Sequence, residues 1–294
     1  MTPPRRPIHG TAASALAEAS GAAIGPNVEA LLAELVSDIT TVLGTKVLGI
    51  YLYGSAVSGG FDPRISDLDL LAVLASDPAP ADLAALDGMH RDFVGRHPDW
   101  DDRIDTIYVS VESLRAPGMR AGPLAVVSPG EPFHVTVADD KWLMNWYLVR
   151  ETGRTLHGPE PSSIIPPITE ERFVANVQQH AQAWTAWIDG MQGRGAYAYA
   201  VLTLCRALYS YRTGRSTSKA EAAIWAAARL PGWSDVIQDA LRWRLARGTG
   251  DSDGGMRDEV GGTADRDDGD AAAGAETRAF VEHVIALIPP PASR

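Results

Sequence analysis

Apolar positions recur along this chain with one spacing, then another. Val28, Leu31, Leu32, Leu35, Val36, Ile39, Val42 and Leu43 fall on one helical stripe. Asn27 can cap that helix and Gly44 suits its stop. Val47–Tyr53 is a nearly continuous apolar run, as expected of a strand covered on both faces. Residues 67–74 predict a second strand and the alternating, β-branched run 104–111 a third. Between them, 80–93 is amphipathic and helical, and 141–150 predicts a further helix. Beyond residue 170 the helical period takes over, with helices predicted over 173–191, 197–213, 218–230, 233–247 and 277–288. Gly214 and Pro231 punctuate the second and third of these. The Gly- and Pro-rich stretch 117–132 predicts no regular element.

These elements give an α+β chain, a small mixed-sheet domain followed by an all-helical bundle. A flexible tail is expected over 1–26, the sheet domain over 27–160, a linker over 159–167 and the helical domain over 167–290. The length of 294 residues accommodates two such domains. Residues 250–274 are rich in Gly, Asp and Ala and are expected to form a disordered acidic insertion. Eight acids against two bases in that stretch contribute −6 of the net charge of −11, which leaves −5 for the rest. A mildly acidic body without a basic stripe argues against a nucleic-acid partner. No apolar run reaches the length of a membrane span, and the two arginines near the start precede no apolar stretch. Cys205 is the single cysteine, which excludes an intrachain disulfide and a cysteine-built zinc site. A cytoplasmic monomer is the expectation.

The chemistry concentrates between the first two strands. Gly54-Ser55 follows a buried strand directly. Ser66-Asp67-Leu68-Asp69 opens the next one. In a strand the side-chain period is two, so Asp67 and Asp69 share one face while Leu68, Leu70, Ala72 and Leu74 share the other. Two carboxylates on one face repel unless a cation lies between them. Magnesium carrying a nucleoside triphosphate suits them, because it takes one or two carboxylates together with phosphate oxygens and water. The glycine turn lets backbone amides approach a phosphate. An Asp-x-Asp at a strand start also marks a solvated loop edge, and Gly-Ser turns are common. The combination of strand, Gly-Ser, ten residues, Asp-x-Asp and strand is the specific signal. Nucleotidyl transfer calls for a third carboxylate that accepts the proton of the attacking hydroxyl or shares a second metal. Asp105, at the start of the third strand, is the candidate. The alternative is one more acid in the acidic strand entry Asp101-Asp102-Arg103-Ile104-Asp105.

The run Gly54-Ser55-Ala56-Val57-x-Gly59-Gly60 with Ser66-Asp67-Leu68-Asp69-Leu70-Leu71 resembles the aminoglycoside nucleotidyltransferases, in particular the streptomycin/spectinomycin 3″(9)-O-adenylyltransferases. Leu202-Thr203-Leu204-Cys205-Arg206, Tyr209-Ser210, Thr213-Gly214 and Lys219-x-x-Ala222-Ala223-x-Trp225-Ala226 are similar to their helical domain. The resemblance covers about residues 28–247 and the final helix. It implies a polymerase-β-like nucleotidyltransferase domain and transfer of AMP from ATP, with Mg2+, to a drug hydroxyl. By the same resemblance Ser55, Ser66 and Lys219 contact the nucleotide, and Asp67 and Asp69 hold metal; Gly54 lets the turn approach the nucleotide, and Arg206 is a further candidate for the same cleft, with burial against an acid as the alternative. Asp105 stands where the family has a catalytic glutamate, one methylene shorter, and is expected to share the metal. Ser218 and Glu221 form a Ser-x-x-Glu capping box, which sets Lys219 in the first helical turn, where an ammonium and a helix N-terminus together attract anions.

The acceptor is less well marked. The family's streptomycin users carry a tryptophan in the first domain and acids just before the Leu-Thr-Leu run. This chain has no tryptophan between Trp100 and Trp142, and Gly195-Ala196-Tyr197-Ala198-Tyr199 contains no acid. A spectinomycin-like aminocyclitol is therefore favoured over streptomycin, with Tyr197 or Tyr199 available to stack. Two rivals stay open: a nucleotidyltransferase acting on a protein or endogenous metabolite hydroxyl, and a nucleotide-binding sensor without catalysis. The remaining tryptophans are expected as core and interface anchors.

Overall fold

The computed structural model describes residues 24–115, 122–246 and 268–291. Its first half is a six-stranded sheet in the order β5-β4-β3-β2-β1-β6. The strands are β1 Val47–Tyr53, β2 Leu68–Leu74, β3 Ile104–Ser110, β4 Pro123–Ser128, β5 Glu131–Val137 and β6 Arg154–His157. β2 and β3 run parallel and the other pairings are antiparallel. A parallel pair needs a crossover, and Pro80–Arg96 supplies it as a helix.

The two faces of the sheet bury different residues. Leu68, Leu70, Ala72 and Leu74 pack with Leu31, Leu35 and Ile39 of helix Pro26–Leu43 and with Phe93 of the crossover helix. Tyr51, Leu71, Val73, Ile107 and Val109 pack on the other face with Trp146 and Val149 of helix Leu143–Thr152. The period-two reading of β2 thus holds residue by residue. Helix Leu143–Thr152 also meets the helical half, where Tyr147 stacks on Phe173 with ring centroids 3.9 Å apart.

The second half comprises helices Glu170–Trp187, Gly193–Thr213, Lys219–Arg229, Ser234–Ala246 and Asp268–Leu287. Helix Gly193–Thr213 is their hub; Ala200, Val201, Leu204 and Cys205 are fully buried in a core shared with Trp184, Ile237 and Phe280. This is the α+β arrangement expected from the sequence.

Several expectations need correction. The stretch 117–132 contains β4 and the start of β5, a hairpin closed at Gly130. Its outer strand alternates polar and half-exposed residues and has no apolar run to announce it. The expected linker 159–167 holds a short helical turn, Pro161–Ile164. The last helix starts at Asp268, before the expected 277, so 268–274 are helical and not part of an insertion. Ala273 is buried there, and Asp270 pairs with Arg194 at 3.1 Å. Alanine's helix propensity and tertiary packing outweigh the acidic composition. Ile24 is buried and Pro26 starts a helix, so the loose tail does not extend to 26. Residues 1–23 and 250–267, where the rest of the tail and insertion were expected, lie outside the described residues. No described helix is long and apolar enough to cross a membrane.

Candidate active site

β1 ends at Tyr53, and the chain then reverses at Gly54 with φ +68° and ψ −143°, a conformation that side chains disfavour. Ser55–Ser58 form one helical turn, closed by Gly59 in the left-handed region. The loop returns through 62–66, where the Ser66 hydroxyl accepts from the Asp62 amide at 2.9 Å. Ser66 is 3 % exposed. That hydroxyl shapes the loop from within, whereas Ser55 stands half-buried at the turn.

Pairing along the sheet then sets the carboxylates. Tyr53 lies opposite Asp69 across β1 and β2. Asp69 lies opposite Asp105 across β2 and β3. Asp67 immediately precedes β2 on the same face. The Asp105 carboxylate accepts from the Ser128 hydroxyl at 3.5 Å. The Tyr53 hydroxyl is buried beside them and accepts from the Asn145 amide at 2.9 Å.

The helical half contributes cations to the same cleft. Ser218 caps helix Lys219–Arg229, its hydroxyl accepting from the Glu221 amide at 3.2 Å. A β-carbon placed on Gly60 would lie 3.5 Å from Ser218 Cβ, so the glycine loop abuts this cap. Lys219 Nζ sits 4.2 Å from the centre of the Tyr199 ring. Ile65, Gly195, Ala198, Tyr199, Lys219 and Arg244 line an open cleft. Arg206 acts electrostatically on Asp69 and on Lys219, and it also lines a small neighbouring cavity with His180, Thr203 and Ser210. No described acid pairs with Arg206 at ion-pair distance.

Charge in this cleft is out of balance. Burial pushes Asp69 up to about 8, helped by Asp105 and Asp67 and opposed by Lys219 and Arg206. Asp105 is raised to about 7, first by burial and then by Asp67, while the Ser128 hydrogen bond works the other way. Asp67 is raised by burial against the pull of Arg103, Lys219 and Arg244. Lys219 is held well below the ordinary lysine range, first by burial and then by Arg206 and Arg244. Carboxylates that resist ionisation face a lysine that resists protonation. A divalent cation beside the former and a polyphosphate beside the latter would restore both charges.

Among the described residues, no group of three or more His, Cys, Asp or Glu side chains is gathered to hold a metal ion by itself. The expected Asp67, Asp69 and Asp105 trio is therefore not a closed cage, since uncompensated carboxylates repel. The donor set still suits magnesium, which needs only one or two carboxylates when phosphates and water complete its shell.

Of the site residues expected from sequence, Lys219 lines this cleft, Asp67, Asp69 and Arg206 act on Lys219 electrostatically and Asp105 acts on Tyr199, while Ser66 is turned inward and Arg206 lines the second cavity. Of the two tyrosines, Tyr199 faces the cleft and is 47 % exposed. Tyr197 packs against Gly274 of the last helix. Trp146 and Trp184 are buried anchors, as expected, whereas Trp187 is exposed. Sequence reasoning missed Arg103, Ser128 and Arg244. Their only signal is proximity in the fold.

The chain is similar to several known proteins. The model of the aminoglycoside adenylyltransferase C-terminal domain matches residues 163–265. An aminoglycoside (3'') (9) adenylyltransferase of Escherichia coli is 27 % identical over 245 residues, covering 74 % of this chain and 88 % of that protein. A Klebsiella pneumoniae enzyme of the same description is 28 % identical over 244 residues, covering 76 % and 88 %. The crystal structure of a spectinomycin adenyltransferase from Enterococcus faecialis, solved with ATP and spectinomycin, shares the fold at a TM-score of 0.67. It is 16 % identical and covers 88 % of this chain and 98 % of its own.

Proposed function

We propose that the chain, which is similar to the aminoglycoside adenylyltransferases, a class of nucleotidyltransferase enzymes, transfers AMP from ATP to a hydroxyl of an aminocyclitol antibiotic of the spectinomycin type. It would act with Mg2+, as a cytoplasmic monomer, and confer resistance. The observation that carries this reading is the register pair Asp69 and Asp105, set on adjacent strands and opposed across the cleft by Lys219.

The reaction is an in-line displacement at the α-phosphorus, with pyrophosphate leaving. Asp67 and Asp69 would hold magnesium, which supplies positive charge to the phosphoryl oxygens when bound. Asp105 accepts the proton of the acceptor hydroxyl. Burial makes that carboxylate a stronger base than one in water. Lys219, Arg206 and Arg244 balance the triphosphate from the helical side, with the N-terminus of helix Lys219–Arg229 behind Lys219. Gly54 and Ser55 bring the turn backbone close to the phosphates. The wall formed by Gly195, Ala198 and Tyr199 carries no acid, so it offers a ring surface and no partner for a guanidinium. That favours a weakly cationic acceptor.

The test is pyrophosphate release with ATP, Mg2+ and a panel of aminocyclitols and aminoglycosides. Spectinomycin should support turnover well above streptomycin, and Asp105→Asn should lower kcat by roughly 10²-fold or more. Undiminished turnover in that variant would end the assignment. The same acid-free wall supports a second reading, transfer to a protein or endogenous metabolite hydroxyl. Labelled ATP consumed with a cell extract but with none of the drugs would favour it.

A further inference from the structure

Asp67 stands just before β2, and its position depends on the loop 62–66. The Arg103 side chain holds that loop from outside. The Arg103 guanidinium donates through Nη2 to the carbonyls of Pro63 at 2.9 Å and Ser66 at 2.5 Å. Its Nη1 donates to the Asp99 carbonyl at 3.3 Å. The group lies over the Trp100 ring, 4.3 Å from its centre. The Arg103 carbonyl in turn accepts from the Leu68 amide at 2.9 Å, the first bond of the β2 and β3 pairing. The charge of Arg103 is also the leading influence that favours ionised Asp67.

The residue before it anchors the opposite side of the site. Asp102 has φ +58°, the one non-glycine residue with positive φ among those described. Its carboxylate accepts from the Gly130 amide in the β4–β5 turn. That hairpin carries Ser128 and Glu131, which both act on Asp105. A strained backbone at Asp102 thus aims two neighbouring side chains in different directions. One fastens the Asp67 loop and the other fastens the hairpin beside Asp105.

We propose that Arg103 is a positioning residue for adenylyl transfer: its planar fork fixes the loop 62–66 so that Asp67 meets the metal nucleotide in line with Asp69 and Asp105. This rests on the reaction proposed above. Arg103 itself touches neither substrate nor reacting atoms. A lysine would keep the charge beside Asp67, but as a point charge it cannot span the carbonyls of Asp99, Pro63 and Ser66 or stack flat on Trp100. Position and charge are therefore separable by substitution.

The experiment measures kcat, the KM for ATP and the Mg2+ concentration at half-maximal rate for Arg103→Ala, Arg103→Lys and Trp100→Leu, with circular dichroism to verify folding. Arg103→Ala should lower kcat about tenfold or more and raise the half-saturating Mg2+ concentration several-fold. Arg103→Lys should recover less than half of that loss on a logarithmic scale. Trp100→Leu should move both quantities the same way by a smaller factor, and it keeps the claim testable if Arg103→Ala does not fold. Wild-type kinetics in Arg103→Ala, or full recovery in Arg103→Lys, would overturn the proposal. If the wild type releases no pyrophosphate with any acceptor, it is the transfer reading that fails. Calorimetric binding of ATP with Mg2+ then still decides the Arg103 claim, because the variant must bind more weakly than wild type.

Discussion

The Asp69 carboxylate occupies the space above the α-carbon of Gly54. A β-carbon on Gly54 would collide with Asp69 Oδ2 and come within 2.6 Å of its Cγ. The glycine therefore answers two demands at once, the positive φ of the turn and the close approach of a carboxylate to the backbone.

Gly54→Ala should disable the site without unfolding the protein. The new methyl group forces Asp69 aside and strains a residue at φ +68° by about 1–3 kcal/mol. A displacement near 1 Å costs roughly 10²-fold in rate. Steady-state kinetics beside a thermal melt should show a large fall in kcat with a drop of only a few degrees in Tm. Activity near wild type would mean that Asp69 is not placed as argued.

Asp69→Asn should stabilise the ligand-free protein in alkali while removing turnover. The folded carboxyl is raised to about 8, against about 3.9 in an unfolded chain. Between those values the native state holds a proton that the unfolded state releases. Stability from this group is complete below about pH 4 and lost as pH rises through 8. The amide carries no such loss, so Tm at pH 8 should exceed wild type by roughly 10 °C, and the gap should close toward pH 4. A melt that shows the variant less stable than wild type at pH 8 would contradict the buried carboxyl.

Lys219→Gln should weaken nucleotide use far more than acceptor use. The lysine is the cation placed on the helix cap nearest the glycine loop. Its loss should lower kcat/KM for ATP by about 10²-fold. The KM for the acceptor should change little. Equal losses for both substrates would place Lys219 outside the phosphate site.

His90 should make the fold acid-sensitive. It is 5 % exposed and shares a 2.7 Å hydrogen bond with the Tyr108 hydroxyl. Burial holds its pKa at about 4, against about 6.5 unfolded. Its contribution is complete above pH 6.5. It is lost as pH falls toward 4, because only the unfolded chain takes up the proton there. Over that window the loss amounts to about 3 kcal/mol. His90→Gln should flatten the dependence of denaturation free energy on pH by about one proton. His180, also held at about 4 by burial and by Arg206, would supply the remaining slope.

Much of this was legible along the chain. The continuous apolar strands, the helical stripes and the shared face of Asp67 and Asp69 follow from local periods of two and 3.6 residues. The capping box at Ser218 places Lys219 in its first helical turn by local hydrogen bonding alone. The β4–β5 hairpin stayed hidden because its edge strand lacks an apolar run. The start of the last helix stayed hidden because acidic and glycine residues mask an alanine-rich turn that is stabilised by packing on Tyr197 and Arg194.

The sequence alone determined which residues carry charge, which face of its own strand each one occupies, and where helices start with a polar cap. Only the tertiary structure decided that Asp105 stands beside Asp69, that Lys219 and Arg244 close on them from the other half, and that Arg103 holds the loop before β2. The first set depends on interactions within a few residues of chain. The second depends on a strand register fixed across a crossover helix, and on two cores docked against each other, where partners far apart in sequence are chosen by burial and packing.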